Sequence, residues 1–163
     1  MYDLVIMGGG PGGAAAGVYA ARKKIKTLLI TDEWGGQSLV SADIQNWIGT
    51  KSVSGFDFAK MLEDHLRAQE DIEIVEGEVV SAVGKLKGGF KVRTQSGKTF
   101  ETKYLLITTG SRRKKLGIPG EKELDGRGVA YCSTCDAPIF KDKTVAVVGG
   151  GNAGLEAVLD LLP

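Results

Sequence analysis

One glycine spacing occurs twice in this chain, each time directly behind a short apolar run, and that repeat constrains the fold more than any other feature. Tyr2-Asp3-Leu4-Val5-Ile6-Met7 runs into Gly8-Gly9-Gly10-Pro11-Gly12-Gly13, and Thr144-Val145-Ala146-Val147-Val148 runs into Gly149-Gly150-Gly151-Asn152-Ala153-Gly154. A buried strand, then G-x-G-x-x-G, then a helix is the fingerprint of a dinucleotide-binding turn. Gly8, Gly10 and Gly13, and again Gly149, Gly151 and Gly154, permit the tight turn, the close approach of backbone to a pyrophosphate and the packing of helix on strand. The N–H groups at the helix start hold the phosphates. After the first copy, residues 14–24 are alanine-rich and end in basic residues, which suit the negative end of a helix. Thr27-Leu28-Leu29-Ile30-Thr31 follows as a second buried strand, so the first thirty residues predict a right-handed βαβ unit with parallel strands. Asp32 and Glu33 lie about 20 residues past the fingerprint, where an acid bonds ribose hydroxyls.

The middle of the chain reads as one helix and a set of short strands. Ser54 with Asp57 resembles a capping box, and Phe58, Met61, Leu62 and Leu66 then share one helical face up to about Gln69. His65, the only histidine, flanks that stripe and reads as packing rather than catalysis. Short strands over 72–75, 78–83, 90–94 and 99–101, with turns at Gly88-Gly89 and Ser96-Gly97, predict a small antiparallel meander. Tyr104-Leu105-Leu106-Ile107-Thr108 returns to a buried strand, whereas residues 111–128 have the polar, then Pro/Gly-rich composition of a linker.

Composition narrows the function classes. Twenty-four glycines in 163 residues are roughly twice the ~7 % of average usage, yet no G-X-Y period is present and proline adds only four residues, so collagen and simple disorder are excluded. A net charge of +1 argues against a nucleic-acid partner. No apolar run approaches the ~18 residues of a membrane span, and Met1 leads straight into the first strand without a cleavable leader. The expectation is a soluble, cytoplasmic chain with no membrane partner.

In that setting two cysteines separated by two residues, Cys132 and Cys135, point to redox chemistry or a metal. Structural zinc wants about four ligands, and there is neither a second cysteine pair nor a histidine near in sequence, so no metal is expected. In a C-x-x-C pair one thiol acts as thiolate while the other resolves a mixed disulfide. Asp136, directly after the pair, reads either as an acid that passes protons to departing thiols or as a solvated turn aspartate. A C-x-x-C between two dinucleotide fingerprints suggests electrons passing from a nicotinamide through a flavin to a disulfide.

On these residues the sequence resembles bacterial low-molecular-weight thioredoxin reductase, over the whole chain and with motifs in the family's order. The matching segments are Gly8 to Gly13, Gly35-Gly36-Gln37, Gln45-Asn46-Trp47, Thr109-Gly110-Ser111, Gly126-Arg127-Gly128-Val129, Cys132-Ser133-Thr134-Cys135-Asp136, and the strand entering Gly149-Gly150-Gly151. The resemblance implies an α/β, Rossmann-like, three-layer FAD-binding fold with the small meander, plus the truncated start of a second Rossmann-like domain. The implied division is an FAD-binding domain over 1–111, a linker or hinge over 112–128, and the start of a nicotinamide-nucleotide domain, carrying the C-x-x-C, over 129–163. FAD contacts would come from Gly8, Gly10, Pro11, Gly13, Gly36, Gln37, Asn46, Thr109 and Gly110, beside Asp32 and Glu33. Cys135 would face the flavin, Cys132 would exchange with the protein disulfide, and Asp136 would serve as the acid.

NADPH, or another electron donor, would supply the electrons, thioredoxin or a thioredoxin-like protein would receive them, and the full-length protein would be a homodimer. The family often has proline where this chain has Ile48, and alanine where it has Thr108. The flavoprotein component of alkyl hydroperoxide reductase is similar over the same region but carries extra N-terminal redox domains, so Met1 beside the first strand favours thioredoxin reductase. A relative reduced by ferredoxin or a deazaflavin is a further alternative. The opening of a second fold without its remainder also permits a catalytically silent FAD- or nucleotide-binding fragment.

Overall fold

The structure is a computed structural model that describes residues 1–112 and 114–162, with the side chains of residues 134, 135, 138 and 139 outside the description. It divides into two compact units, Met1–Arg112 and Arg113–Pro163. The first unit is built on one six-stranded sheet. In chain order its strands are β1 (Tyr2–Gly9), β2 (Thr27–Trp34), β3 (Ile72–Glu76), β4 (Val80–Leu86), β5 (Gly89–Thr94) and β6 (Thr99–Ile107), and its helices are α1 (Pro11–Arg22) and α2 (Gly55–Arg67).

The spatial order is β3-β2-β1-β6-β5-β4. β1 lies at the centre, parallel to β2 on one side and β6 on the other, and β3 adds to β2 in parallel. A central strand of a parallel sheet is covered on both faces, which is why the Leu4-Val5-Ile6-Met7 run is continuously apolar. Val5, Met7, Leu28 and Ile30 pack with Val92 of β5 on one face, with Phe100 of β6 against them. Ile6 and Leu29 pack with Val18 of α1 and Leu66 of α2 on the other. The α/β, Rossmann-like expectation therefore stands, with helices on one side of the parallel strands and meander side chains on the other.

Three expectations are revised here. The segment 72–75, expected in the antiparallel meander, is β3, which pairs in parallel with β2 at the opposite edge of the sheet from β4. The segments 99–101 and 104–108 are separate strands by pattern, yet they form the single strand β6, which joins the meander to the parallel sheet. Thr102 sits at the changeover, paired with Phe90 of β5 and with Tyr2 of β1. It is buried, and its hydroxyl donates to the Tyr104 carbonyl at 2.8 Å, so a polar residue continues the strand without an unsatisfied group. His65 is exposed on α2 rather than packed, because the buried stripe narrows to Phe58, Ala59 and Leu66.

The start of α2 follows its sequence closely. The Ser54 hydroxyl oxygen accepts the Asp57 N–H at 3.1 Å, and the same hydroxyl donates to the Asp57 carboxylate at 2.6 Å.

Glu78 ties the meander to β2. Its N–H donates to the Thr31 carbonyl, and its side chain, only 8 % exposed, accepts from the Ser96 hydroxyl at 2.5 Å and pairs with Lys98 at 2.9 Å. The Ser96 and Lys98 donors hold its carboxyl down to about 2, against an ordinary 4.5. A folded pKa below the unfolded one stabilises the fold fully above the unfolded value and is lost as pH falls through the folded one. Glu78→Gln is thus expected to flatten the loss of thermal stability between about pH 5 and pH 2, and to lower the melting temperature at neutral pH, in melts taken across that range.

The second unit holds a short helix α3 (Ser133–Asp136), a 3-10 turn at Ala137–Phe140 and α4 (Asn152–Leu161). The apolar run 144–148, expected as a buried strand, is not a strand among the described residues, and Val145 and Val148 are 38 % and 71 % exposed. An apolar run becomes a strand only where a neighbour completes its hydrogen-bond ladder, and the described residues of this unit contain no strand to pair with it.

Candidate functional site

β1 delivers the chain into a cavity of about 630 Å³ above the C-terminal ends of the parallel strands, a size typical of small-molecule sites. The turn that enters it is held by two contacts that only glycine permits. Gly8 has φ +111°, and a side chain on Gly13 would meet the Gly8 carbonyl oxygen at 1.8 Å. α1 is thereby drawn onto β1, so its first turn opens on the cavity. Its N-cap, Gly10, offers no side-chain acceptor, and the first turn carries no acidic residue. Backbone donors at a helix start without a cap are a ready anion site.

Of the residues singled out from sequence, Gly8, Gly10, Pro11, Asp32, Glu33, Gly36, Gln37, Thr109 and Gly110 line this one cavity. Gly13 lies behind the turn, and Asn46 is not among the lining residues. The cavity floor is reachable: a methyl on Gly10 would find its nearest neighbour, the Gly35 carbonyl, only at 3.9 Å. Open backbone, uncapped helix donors and two acids together fit a dinucleotide such as FAD, with phosphates at the start of α1 and ribose hydroxyls toward Asp32 and Glu33.

Asn46 sits in a loop closed by the Ile44–Val53 bridge. The Ser52 hydroxyl and the Gln45 amide donate to Asp43 at 2.6 and 2.5 Å and hold its carboxyl below the usual range, while the Trp47 ring meets Phe58 edge-on at 4.8 Å. Several lining residues escaped the sequence reading. Thr108, at a position where resembling sequences often carry alanine, places its hydroxyl 2.8 Å from the Met7 carbonyl and 3.2 Å from the Gly8 carbonyl, beneath the glycine turn. Val79, Val80 and Arg112 also face the cavity, and no motif marks them.

The second glycine string repeats the first in detail. Gly149 has φ +123°, a side chain on Gly154 would meet the Gly149 carbonyl at 2.3 Å, and Gly151 caps α4 in extended conformation without a side-chain acceptor. Upstream in the same unit, Cys132 is disulfide-bonded, and its carbonyl accepts the Asp136 N–H at 2.8 Å. The Cys135 side chain lies outside the described residues.

Residues 2–161 match the model of the family described as pyridine nucleotide-disulphide oxidoreductase. The chain belongs to that family. Its members use FAD and NAD(P)H. Among curated relatives, the chain is 43 % identical over 164 residues to an alkyl hydroperoxide reductase subunit from Pseudomonas putida, covering 98 % of this chain and 31 % of that protein. It is 39 % identical over 160 residues to a protein named NADH dehydrogenase from Ferdinandcohnia aciditolerans, covering 98 % and 30 %. Among solved structures, thioredoxin reductase from Streptococcus pyogenes MGAS5005 superposes with a TM-score of 0.81 at 34 % identity, over 99 % of this chain and 52 % of that one. The chain therefore spans about a third of these curated relatives and about half of the solved one. No described helix is long and apolar enough to cross a membrane.

Proposed function

We propose that this chain is the flavin-binding and disulfide-bearing part of an NADPH-dependent disulfide reductase whose acceptor is thioredoxin or a thioredoxin-like protein. The observation that carries the reading is the disulfide at Cys132, set in sequence between two glycine turns of the same geometry in a family of pyridine nucleotide-disulphide oxidoreductases. Bound FAD would supply a two-electron relay between a nicotinamide and a disulfide. The start of α1 holds the pyrophosphate, Asp32 or Glu33 the ribose, and the 109–110 backbone the far wall of the cavity. The second turn, at Gly149, Gly151 and Gly154, holds the nicotinamide nucleotide.

Reduction of the Cys132–Cys135 disulfide takes two electrons and two protons and yields two thiols. Cys132 as thiolate then attacks the partner's disulfide, and Cys135 resolves the mixed disulfide, so the partner leaves as a dithiol and the pair returns to its oxidised form. Asp136, whose N–H donates to the Cys132 carbonyl at 2.8 Å, would serve as the acid that passes a proton to the thiolate that departs. The 112–128 segment would hold a hinge between the two nucleotide-binding parts, and the full-length protein would be a homodimer.

A second reading has its own support, because alkyl hydroperoxide reductase proteins are among the relatives at 42–43 % identity. In that case the acceptor is a redox domain of the protein itself. The deciding experiment supplies the full-length, FAD-loaded protein with NADPH or NADH and with two acceptors, a thioredoxin disulfide and a separately produced alkyl hydroperoxide reductase redox domain. NADPH consumption that follows thioredoxin, and is lost in Cys132→Ser, supports the proposal. Reduction of the redox domain alone overturns it in favour of the second reading, and reduction of neither with either nucleotide overturns both.

A further inference from the structure

The segment between the first unit and the cysteines carries a buried carboxylate that the chemistry above does not use. Glu121 is 6 % exposed and gathers four donors. Its Oε2 accepts the N–H groups of Gly117 at 2.6 Å and Ile118 at 3.3 Å, and its Oε1 accepts the N–H of Leu116 at 3.1 Å and the hydroxyl of Tyr131. These donors, Tyr131 first, hold the Glu121 carboxyl below its usual range, and the same bond raises the Tyr131 phenol. The Tyr131 ring is also held from its face, with the Lys115 ammonium 4.2 Å from its centroid and that lysine paired with Asp125 at 2.8 Å. The turn beneath is closed by Gly126 N–H to the Val129 carbonyl and Val129 N–H to the Leu124 carbonyl, both at 2.9 Å. Tyr131 is thus fixed at its tip and at its ring face, and the residue bonded to it is Cys132.

We propose that Glu121 is a positioning residue for the redox disulfide, acting through Tyr131 to hold the backbone of Cys132 in one orientation whether the disulfide is closed or open. The idea rests on the disulfide-exchange reading above. A dithiol whose backbone cannot drift keeps its two sulfurs at high effective concentration, which favours the closed disulfide. Releasing Tyr131 lets the reduced form relax, so the disulfide becomes easier to reduce. A carboxylate that only filled its loop would leave that equilibrium unchanged.

The test needs neither nicotinamide nor flavin turnover. The full-length, flavin-loaded protein is equilibrated with mixtures of reduced and oxidised dithiothreitol at fixed pH, where each disulfide opened oxidises one dithiothreitol to its cyclic disulfide. Free thiols are trapped with a maleimide and the Cys132 peptide is quantified by mass. Tyr131→Phe keeps the ring and the three backbone bonds to Glu121 and loses only the hydroxyl, so it folds even where Glu121→Gln does not. Both variants are expected to shift the equilibrium toward the dithiol by about tenfold, equivalent to about 30 mV for a two-electron couple. The double variant should shift it no further than Tyr131→Phe alone, since Glu121 acts through the hydroxyl that this variant lacks. An unchanged equilibrium in Tyr131→Phe, at unaltered melting temperature and flavin content, overturns the proposal. Failure of the wild-type pair to be reduced by NADPH in a parallel sample would instead remove the disulfide-exchange reading and leave the dithiothreitol result standing.

Discussion

Gly13→Ala is expected to yield a folded protein that purifies without its yellow colour. The added methyl would lie 1.8 Å from the Gly8 carbonyl oxygen and 3.0 Å from the Thr108 hydroxyl. The neighbour at 1.8 Å is backbone, so no side-chain rotation relieves it. For that contact to reach even 3.0 Å the start of α1 must lift off β1, and the helix start is where the phosphates are expected to sit. Displacing preorganised donors removes binding energy while most of the buried core remains, because Val18 and the rest of α1 pack further along the helix. Bound flavin, read from the visible absorbance per protein, should fall at least tenfold, about 1.4 kcal/mol or more of lost affinity, with the far-ultraviolet circular dichroism retained. Gly84→Ala is the control: its methyl would meet nothing closer than 4.0 Å and lies on β4 away from the cavity, so colour should persist. Full colour in Gly13→Ala would remove the α1 turn from the nucleotide site.

The same turn shows why part of this molecule was readable from sequence. A glycine string behind an apolar run has few physical outcomes, since backbone at φ +111° and a helix whose side chain would fall 1.8 Å from a carbonyl oxygen both demand that residue type. The capping of α2 by Ser54 is legible for the same reason, a local bond between neighbours in sequence. What escaped depends on distant partners. Thr108 lies a hundred residues from the carbonyls it pins, and nothing in its own neighbourhood announces that. The expected break between 101 and 104 falls on Thr102 and Lys103, which follow Glu101 as a polar run, but the Thr102 hydroxyl is satisfied within the strand and β6 continues through it. The 144–148 run has the residues of a buried strand without a described neighbour to pair with, and Glu121 in a charged stretch gave no sign that four donors converge on it.

Leu66→Ala is expected to produce the opposite phenotype, a marked loss of stability with the flavin site intact. Leu66 is fully buried at the end of α2, among Ile6 of β1, Val18 of α1 and Leu29 of β2, with Ile72 and Ile74 of β3 around them. It sets how closely α1 approaches, since a side chain on Gly17 would meet Leu66 Cδ1 at 2.7 Å. Removing it deletes three carbons from a site bounded by sheet and helix backbone that cannot close fully, at a cost of about 2–5 kcal/mol. Against a domain stability of about 5–15 kcal/mol this is a large fraction, and the unfolding midpoint of flavin-free protein should fall by on the order of 10 °C or more. No residue of α2 lines the cavity, so at low temperature the affinity for flavin should match the wild type. The contrast separates two roles of one layer: Gly13 governs whether the helix start meets the ligand, and Leu66 whether the helices stay on the sheet. If Leu66→Ala lost flavin in proportion to Gly13→Ala under conditions where it remained folded, the cavity and the helical core would be one cooperative unit, and the colour loss in Gly13→Ala could no longer be assigned to the turn.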